Sequence, residues 1–191
     1  AEVGQDASIE GSNIDIQALY NYADANTPLT DRQAKSRSTS GAAAAVGRTG
    51  SKSTSESKGH ASTFIVSGAS LKATTTDINI IARAANQIEA VATGELFTAL
   101  GFGENEANGV VNTSSQVRLG SNVSIDSQNA LTIDAGSRDF GVSRARAGDR
   151  GAIPFSSGVG TMDVDNATTV SIGDGGSLQA KNKLNVLAGA N

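Results

Sequence analysis

The 191-residue chain has no cysteine, no tryptophan and one histidine, His60. Without thiols there are no disulfides and no thiolate metal sites. With a single imidazole, a Ser-His-Asp or Cys-His constellation has almost no material, and His60 sits in the polar run Lys58-Gly59-His60-Ala61, where exposure is the ordinary expectation. Two tyrosines and five phenylalanines leave few of the large side chains that fill a thick globular core. Only Pro28 and Pro154 are prolines, so the abundant Gly, Ser, Thr and Asn are not the Pro-rich signature of a disordered linker. No apolar run approaches the roughly 20 residues needed to span a bilayer. The net charge of -4 and the lack of a dense basic cluster argue against nucleic acid as a partner.

What the chain does contain is a repeat. Val3-Gly4-Gln5-Asp6-Ala7-Ser8-Ile9, Val66-Ser67-Gly68-Ala69-Ser70-Leu71, Leu119-Gly120-Ser121-Asn122-Val123-Ser124-Ile125 and Ile172-Gly173-Asp174-Gly175-Gly176-Ser177-Leu178 are four versions of one motif. Each precedes an apolar-x-apolar-x-Ala segment: Ile14, Ile16, Ala18; Ile78, Ile80, Ala82; Leu131, Ile133, Ala135; and Leu184, Val186, Ala188. The shared serines Ser8, Ser70, Ser124 and Ser177 are spaced by 62, 54 and 53 residues, so length variation falls between the motifs.

The local pattern reads as strand, turn, strand. Period-two alternation directs Val117, Leu119, Ile125, Leu131 and Ile133 inward and Arg118, Asp126 and Thr132 toward water. Gly120 and Gly173 follow an inward residue at a corner, where either a positive φ or lack of room for a Cβ favours glycine; an ordinary hairpin turn is the alternative. Ser36–Ser40 and Ser51–Lys58 alternate small with longer polar residues, as serine and alanine ladders in a narrow interior would. These features predict an all-β chain, a parallel β-solenoid with irregular loops. It forms a single segment over 1–191 built of about four degenerate repeats, with motifs near 1–18, 64–82, 117–135 and 170–188. At roughly 20 to 28 residues per coil, each repeat would supply two coils, stacked about 4.8 Å apart. Three segments read differently. Helix is an option over Ile16–Ala25, Ile88–Leu100 has helical propensity and leaves one short helix open against strand, and Ser137–Gly151 reads as a solvated loop carrying Arg138, Arg144, Arg146 and Arg150.

The phrase from Asn166 through Val170-Ser171-Ile172-Gly173-Asp174-Gly175-Gly176 to Ala180, followed by Leu184-Asn185-Val186-Leu187-Ala188, resembles the degenerate repeat of giant bacterial adhesins of the leukotoxin-like filamentous type. A tyrosine common in that family's corner is absent, with Val170-Ser171 in its place. The resemblance implies a right-handed parallel β-helix and a secreted or cell-surface location. It also implies a non-enzymatic role in attachment or fibre formation.

No residue is assigned a catalytic, cofactor or metal role on this reading. Asp163, Asp165, Asn166 and Asp174 are oxygen donors that could serve calcium, although solvated turn residues are the commoner identity of such groups. Expected partners are further repeats or copies joined end to end by strand addition, and glycans or cell surfaces. A glycan-binding or glycan-processing β-helix of the tailspike or lyase type is the alternative, and it would need paired carboxylates in a groove.

Overall fold

A computed structural model describes residues 1–150 and 152–190. All thirteen regular elements among them are strands: β1 (Glu2–Val3), β2 (Ser8–Gly11), β3 (Ile14–Tyr20), β4 (Tyr22–Asp24), β5 (Thr27–Pro28), β6 (Gln33–Ile65), β7 (Ser70–Ala73), β8 (Ile78–Leu119), β9 (Ser124–Ser127), β10 (Ala130–Asp149), β11 (Ile153–Ile172), β12 (Ser177–Ala180) and β13 (Lys183–Ala190). None of the described residues forms a helix long and apolar enough to cross a membrane.

Every ladder but one is parallel and joins residues about one repeat apart. Leu119 pairs with Ile172 and Leu131 with Leu184, both at an offset of 53, and Ile65 pairs with Leu119 at an offset of 54. The chain therefore returns beside itself once per repeat, not twice as the 20-to-28-residue estimate had it. That estimate failed because β6 and β8, of 33 and 42 residues, each run outward and fold back within one pass. In β8 the fold-back brings Gly94 against Asn105 and Gly103 against Leu96; in β6, Ser53 Oγ donates to Ser36 Oγ at 2.8 Å. Each pass, called a lap below, is thus two long facing arms joined by a bend at one end and a short corner at the other.

The corner carries a conformational signature. Asp6, Gly68, Asn122 and Gly175 all have positive φ, between 52° and 78°, and occupy equivalent places in successive laps. Only glycine, Asn and Asp enter this left-handed region at low cost, and only those types are found there. Gly120 and Gly173 are explained by space: a Cβ on Gly120 would lie 2.5 Å from Ser67 N, and one on Gly173 would lie 2.7 Å from Ser121 N.

Near the corner the arms are held apart by Ile78, Ile80, Val117, Leu119, Ile125, Leu131 and Ile133, all 0–2% exposed, which with Val3, Ile14, Ile65 and Leu71 form the main core. The expected inward and outward residues of the third repeat are placed as the alternation predicts, with Arg118 exposed. Farther out the interior narrows: Ala90, Ala92, Ala107 and Ala145 line it with inward serines, and the few large residues, such as Ile88 and Leu96, lie against glycines, Gly109 and Gly103. Register-related charges pair on the outside, as in Lys52–Glu106 at 3.0 Å and Lys72–Glu10 at 3.3 Å. Exposed pairs of this kind add little stability, though they favour this register over its neighbours.

The uncertain segments resolve to strand. Ile88–Leu100 lies within β8, where its even-numbered residues point into the narrow interior. Ile16–Tyr20 belongs to β3 and Tyr22–Asp24 to β4. The segment read as an arginine-rich loop is strand through Asp149, paired to β8, and Gly151 lies outside the described residues. Helical propensity here yields to the ladder offered by neighbouring laps.

Candidate functional site

The first lap differs from the others by an insertion. Tyr20 pairs with Ala84 and Gln33 with Gln87, so twelve residues of the first lap bridge a step that takes two in the second. The surplus forms a β4–β5 hairpin, the only antiparallel pairing among the described residues. Asn26 N donates to Asp24 Oδ1 at 2.8 Å in its turn, which holds the Asp24 carboxyl below its ordinary range. At its base Asn21, with φ 56°, donates from Nδ2 to Ala85 O at 2.9 Å, and Leu29 N donates to Asn21 O at 2.8 Å.

Arg83 fastens the hairpin to the body. Its guanidinium donates to Ala25 O and Asn26 Oδ1 on the hairpin, and to Asp134 Oδ2 on the next lap, with the Nε bond at 3.0 Å. The Asp134 side chain is 9% exposed. A pair this buried is costly to break from one side, because an unpaired charge is left behind.

Between the hairpin and the outer face of the laps lies an open groove with two lobes of about 400 and 340 Å³. Tyr22, Asn26, Arg83 and Asp134 line the first; Gln33, Ala85, Gln87 and Phe140 line the second. Pro28 and Arg138 line both, so the two lobes adjoin across these side chains. Burial raises the Tyr22 phenol above its usual value against the opposing pull of Arg83 and Arg138, so it is a neutral hydrogen-bonding group at ordinary pH. Arg138 is exposed and has no ion-pair partner among the described residues.

This arrangement suits binding. Its one lining carboxylate, Asp134, is committed to Arg83, whereas general acid–base work on a glycosidic bond needs two free ones. His60 is exposed on the return arm between Ser62 and Ser114 and lines neither lobe of the groove. The calcium candidates are dispersed: Asp163 and Asp165 are exposed, Asn166 turns inward to donate to Asp139 Oδ2 at 2.9 Å, and Asp174 occupies the corner. Among the described residues no group of three or more His, Cys, Asp or Glu side chains could hold a metal ion.

Sequence reasoning missed Tyr22, Arg83, Asp134 and Arg138. The available signal was the long first spacing, 62 residues against 54, an excess that the hairpin insertion more than accounts for. Arg138 was hidden by reading its segment as loop, since only strand pairing fixes it on the outer face of the third lap.

Two other features complete the surface. At the far bend the rings of Phe102 and Phe155 stack at 5.5 Å, above Arg48 in the same register column. On the last lap Leu184, Val186 and Ile172 are 44–50% exposed, although their register partners Leu131, Ile133 and Leu119 are buried. No family model, curated protein or solved structure matches the chain.

Proposed function

We propose that this chain is a non-enzymatic segment of a right-handed parallel β-helix, a β-solenoid belonging to a larger secreted or cell-surface repeat protein, in which it extends a structural or adhesive fibre. The observation that carries the reading is the parallel, in-register return of the chain beside itself, at an offset of 53 or 54 residues through the second to fourth repeats. A chain that stacks on itself in register builds a rod whose length grows with the number of repeats. The same economy places most residues in length and surface, as an extended spacer requires, and few in a deep pocket. Extracellular placement and adhesion are supported by the family resemblance of the repeat phrase, and the absence of cysteine is compatible with them.

The test is a chain with a second copy of residues 120–172 inserted between Ile172 and Gly173. A stacked solenoid accepts a whole lap: unfolding stays cooperative, the denaturant m-value rises with the added length, and the particle grows by about 4.8 Å along its axis. Aggregation, or a separately melting insert, would count against stacking. For the non-enzymatic part, incubation with neutral and acidic polysaccharides should release no new reducing ends or unsaturated products, and release of either would move the protein to the glycan-processing class.

A further inference from the structure

We propose that the groove beneath the inserted hairpin binds a carboxylated saccharide, with Arg138 receiving the carboxylate. Of the two arginines in the groove, Arg83 is already neutralised by Asp134 and tied to the hairpin backbone. Arg138 has no ion-pair partner among the described residues, lines both lobes, and stands one lap above Ala85, whose small side chain leaves the space beside it open. A guanidinium offers a planar fork that matches a carboxylate with two parallel hydrogen bonds.

The surrounding groups favour a sugar as the body that carries that carboxylate. Gln33 Nε2 donates to Gln87 Oε1 at 2.9 Å, which leaves the Gln33 carbonyl and the Gln87 amide N–H groups as an acceptor and donor side by side. Such a pair suits neighbouring hydroxyls, each of which both donates and accepts. Asn26 supplies a further amide in the first lobe. Phe140, 64% exposed, is the register partner of Gln87 and presents an aromatic face beside that pair, with Tyr22 serving the other lobe. Aromatic faces with polar groups at their margin accept the C–H face of a pyranose, whereas an apolar side chain or an acyl chain would need an enclosed pocket. The proposal names a ligand for the adhesive reading above and rests on it.

The experiment is titration calorimetry of the whole chain with a short oligogalacturonate, and with the neutral galacto-oligosaccharide of equal length. The wild type should bind the acidic probe, and the neutral one at least tenfold more weakly. Arg138→Gln should lose at least tenfold in affinity for the acidic probe, Arg138→Lys should keep part of it, and Arg146→Gln, exposed on the same strand some 26 Å away at strand rise, should be unchanged. Circular dichroism of each variant separates lost binding from lost folding, and the Arg138 side chain has no ion-pair partner among the described residues whose loss would unfold the strand. The proposal fails if the acidic probe does not bind, if Arg138→Gln and Arg146→Gln weaken it equally, or if a short oligoglutamate binds as well as the saccharide. None of these failures alters the outcome of the lap duplication, so the ligand assignment and the solenoid reading stand or fall separately.

Discussion

The two ends of each lap solve the same packing problem in opposite ways. Beside the corner, Ile80, Ile133 and Leu131 are 0% exposed and fill a wide gap between the arms with bulky side chains. Toward the bend, the same parallel register continues over a narrower interior in which alanine, serine and glycine predominate: Ser53 Oγ meets Ser36 Oγ at 2.8 Å, Ala90 and Ala92 face Ala107, and the large side chains Ile88 and Leu96 lie against Gly109 and Gly103. Hydrophobic burial scales with apolar area, at about 25 cal/mol per Å², so the corner end supplies most of the stabilisation per residue. The far end is held by the ladder to neighbouring laps and by close contact of small groups, which tolerates many sequences.

The comparison breaks most visibly at Ile133. It sits in register between Ile80 and Val186 with no exposed surface. Ile133→Asp places a carboxylate without a partner in that core and should cost about 4 kcal/mol or unfold the chain. Thr132→Asp, one residue along and facing outward, should stay within about 0.5 kcal/mol. Urea titration of both variants measures the contrast. Equal tolerance would mean that the side-chain alternation is assigned to the wrong face.

The same contrast explains what was legible in the sequence. The four motifs near 1–18, 64–82, 117–135 and 170–188 coincide with the corner, because a wide gap demands Ile, Val or Leu at fixed places and the left-handed position at Asp6, Gly68, Asn122 and Gly175 demands a narrow set of types. Beyond Ala84 the interior asks mostly for small residues, with Ile88, Leu96 and Val111 as isolated large ones. Ala, Ser and Gly carry no distinctive spacing, so the pairing of Ala90 with Ser36 on one side and Ser143 on the other cannot be read from composition. Ile88–Leu100 offered an apolar pattern compatible with helix for the same reason: its strand state is imposed by neighbours on both sides. The groove was least legible, since Arg83 and Asp134 are separated by a lap and meet only through register.

The narrow end should respond to added volume as the wide end responds to lost burial. A Cβ on Gly94 would lie 2.5 Å from Asn105 Oδ1, and Asn105 is 1% exposed and accepts from Ser51 Oγ at 2.7 Å. Gly94→Ala should therefore cost about 2 kcal/mol, although alanine ordinarily suits a strand better than glycine. Gly94→Ala combined with Asn105→Gly, which clears the space across the arms, should recover most of that loss in the same titration. Failure of the second change to compensate the first would show that the arms do not meet there.

The smallest effect lies where the two regimes join. Asn86 is fully buried, accepts from Ser57 Oγ at 2.8 Å and donates to Thr113 Oγ1; its register partner one lap on is Asp139, which accepts from Thr113 Oγ1 at 2.7 Å and Asn166 Nδ2 at 2.9 Å. Burial raises the Asp139 carboxyl above its ordinary value, more than its hydrogen bonds to Thr113 and Asn86 lower it. The folded chain then holds this proton to higher pH than the unfolded chain does. Through the interval between the two values the folded state binds more protons, so this group's contribution to stability falls as pH rises and levels off above the raised value. Asp139→Asn removes the titration and repeats the residue of the preceding lap. Its amide can pair with Asn166 if that side chain turns over, because the Ser137 hydroxyl now bonded to it accepts as readily as it donates. The variant should melt about 1–2 °C above the wild type at neutral pH. Below the ordinary carboxylate range, where Asp139 is protonated in both states, that gain should disappear. The lowered carboxyls of Asp24 and Glu106 act in the opposite direction but are present in both proteins and cancel in the difference. Paired melts across that pH range decide the point: a gain independent of pH would assign the effect to packing, and a loss at neutral pH would mean that the carboxylate is the form the seam is built to hold.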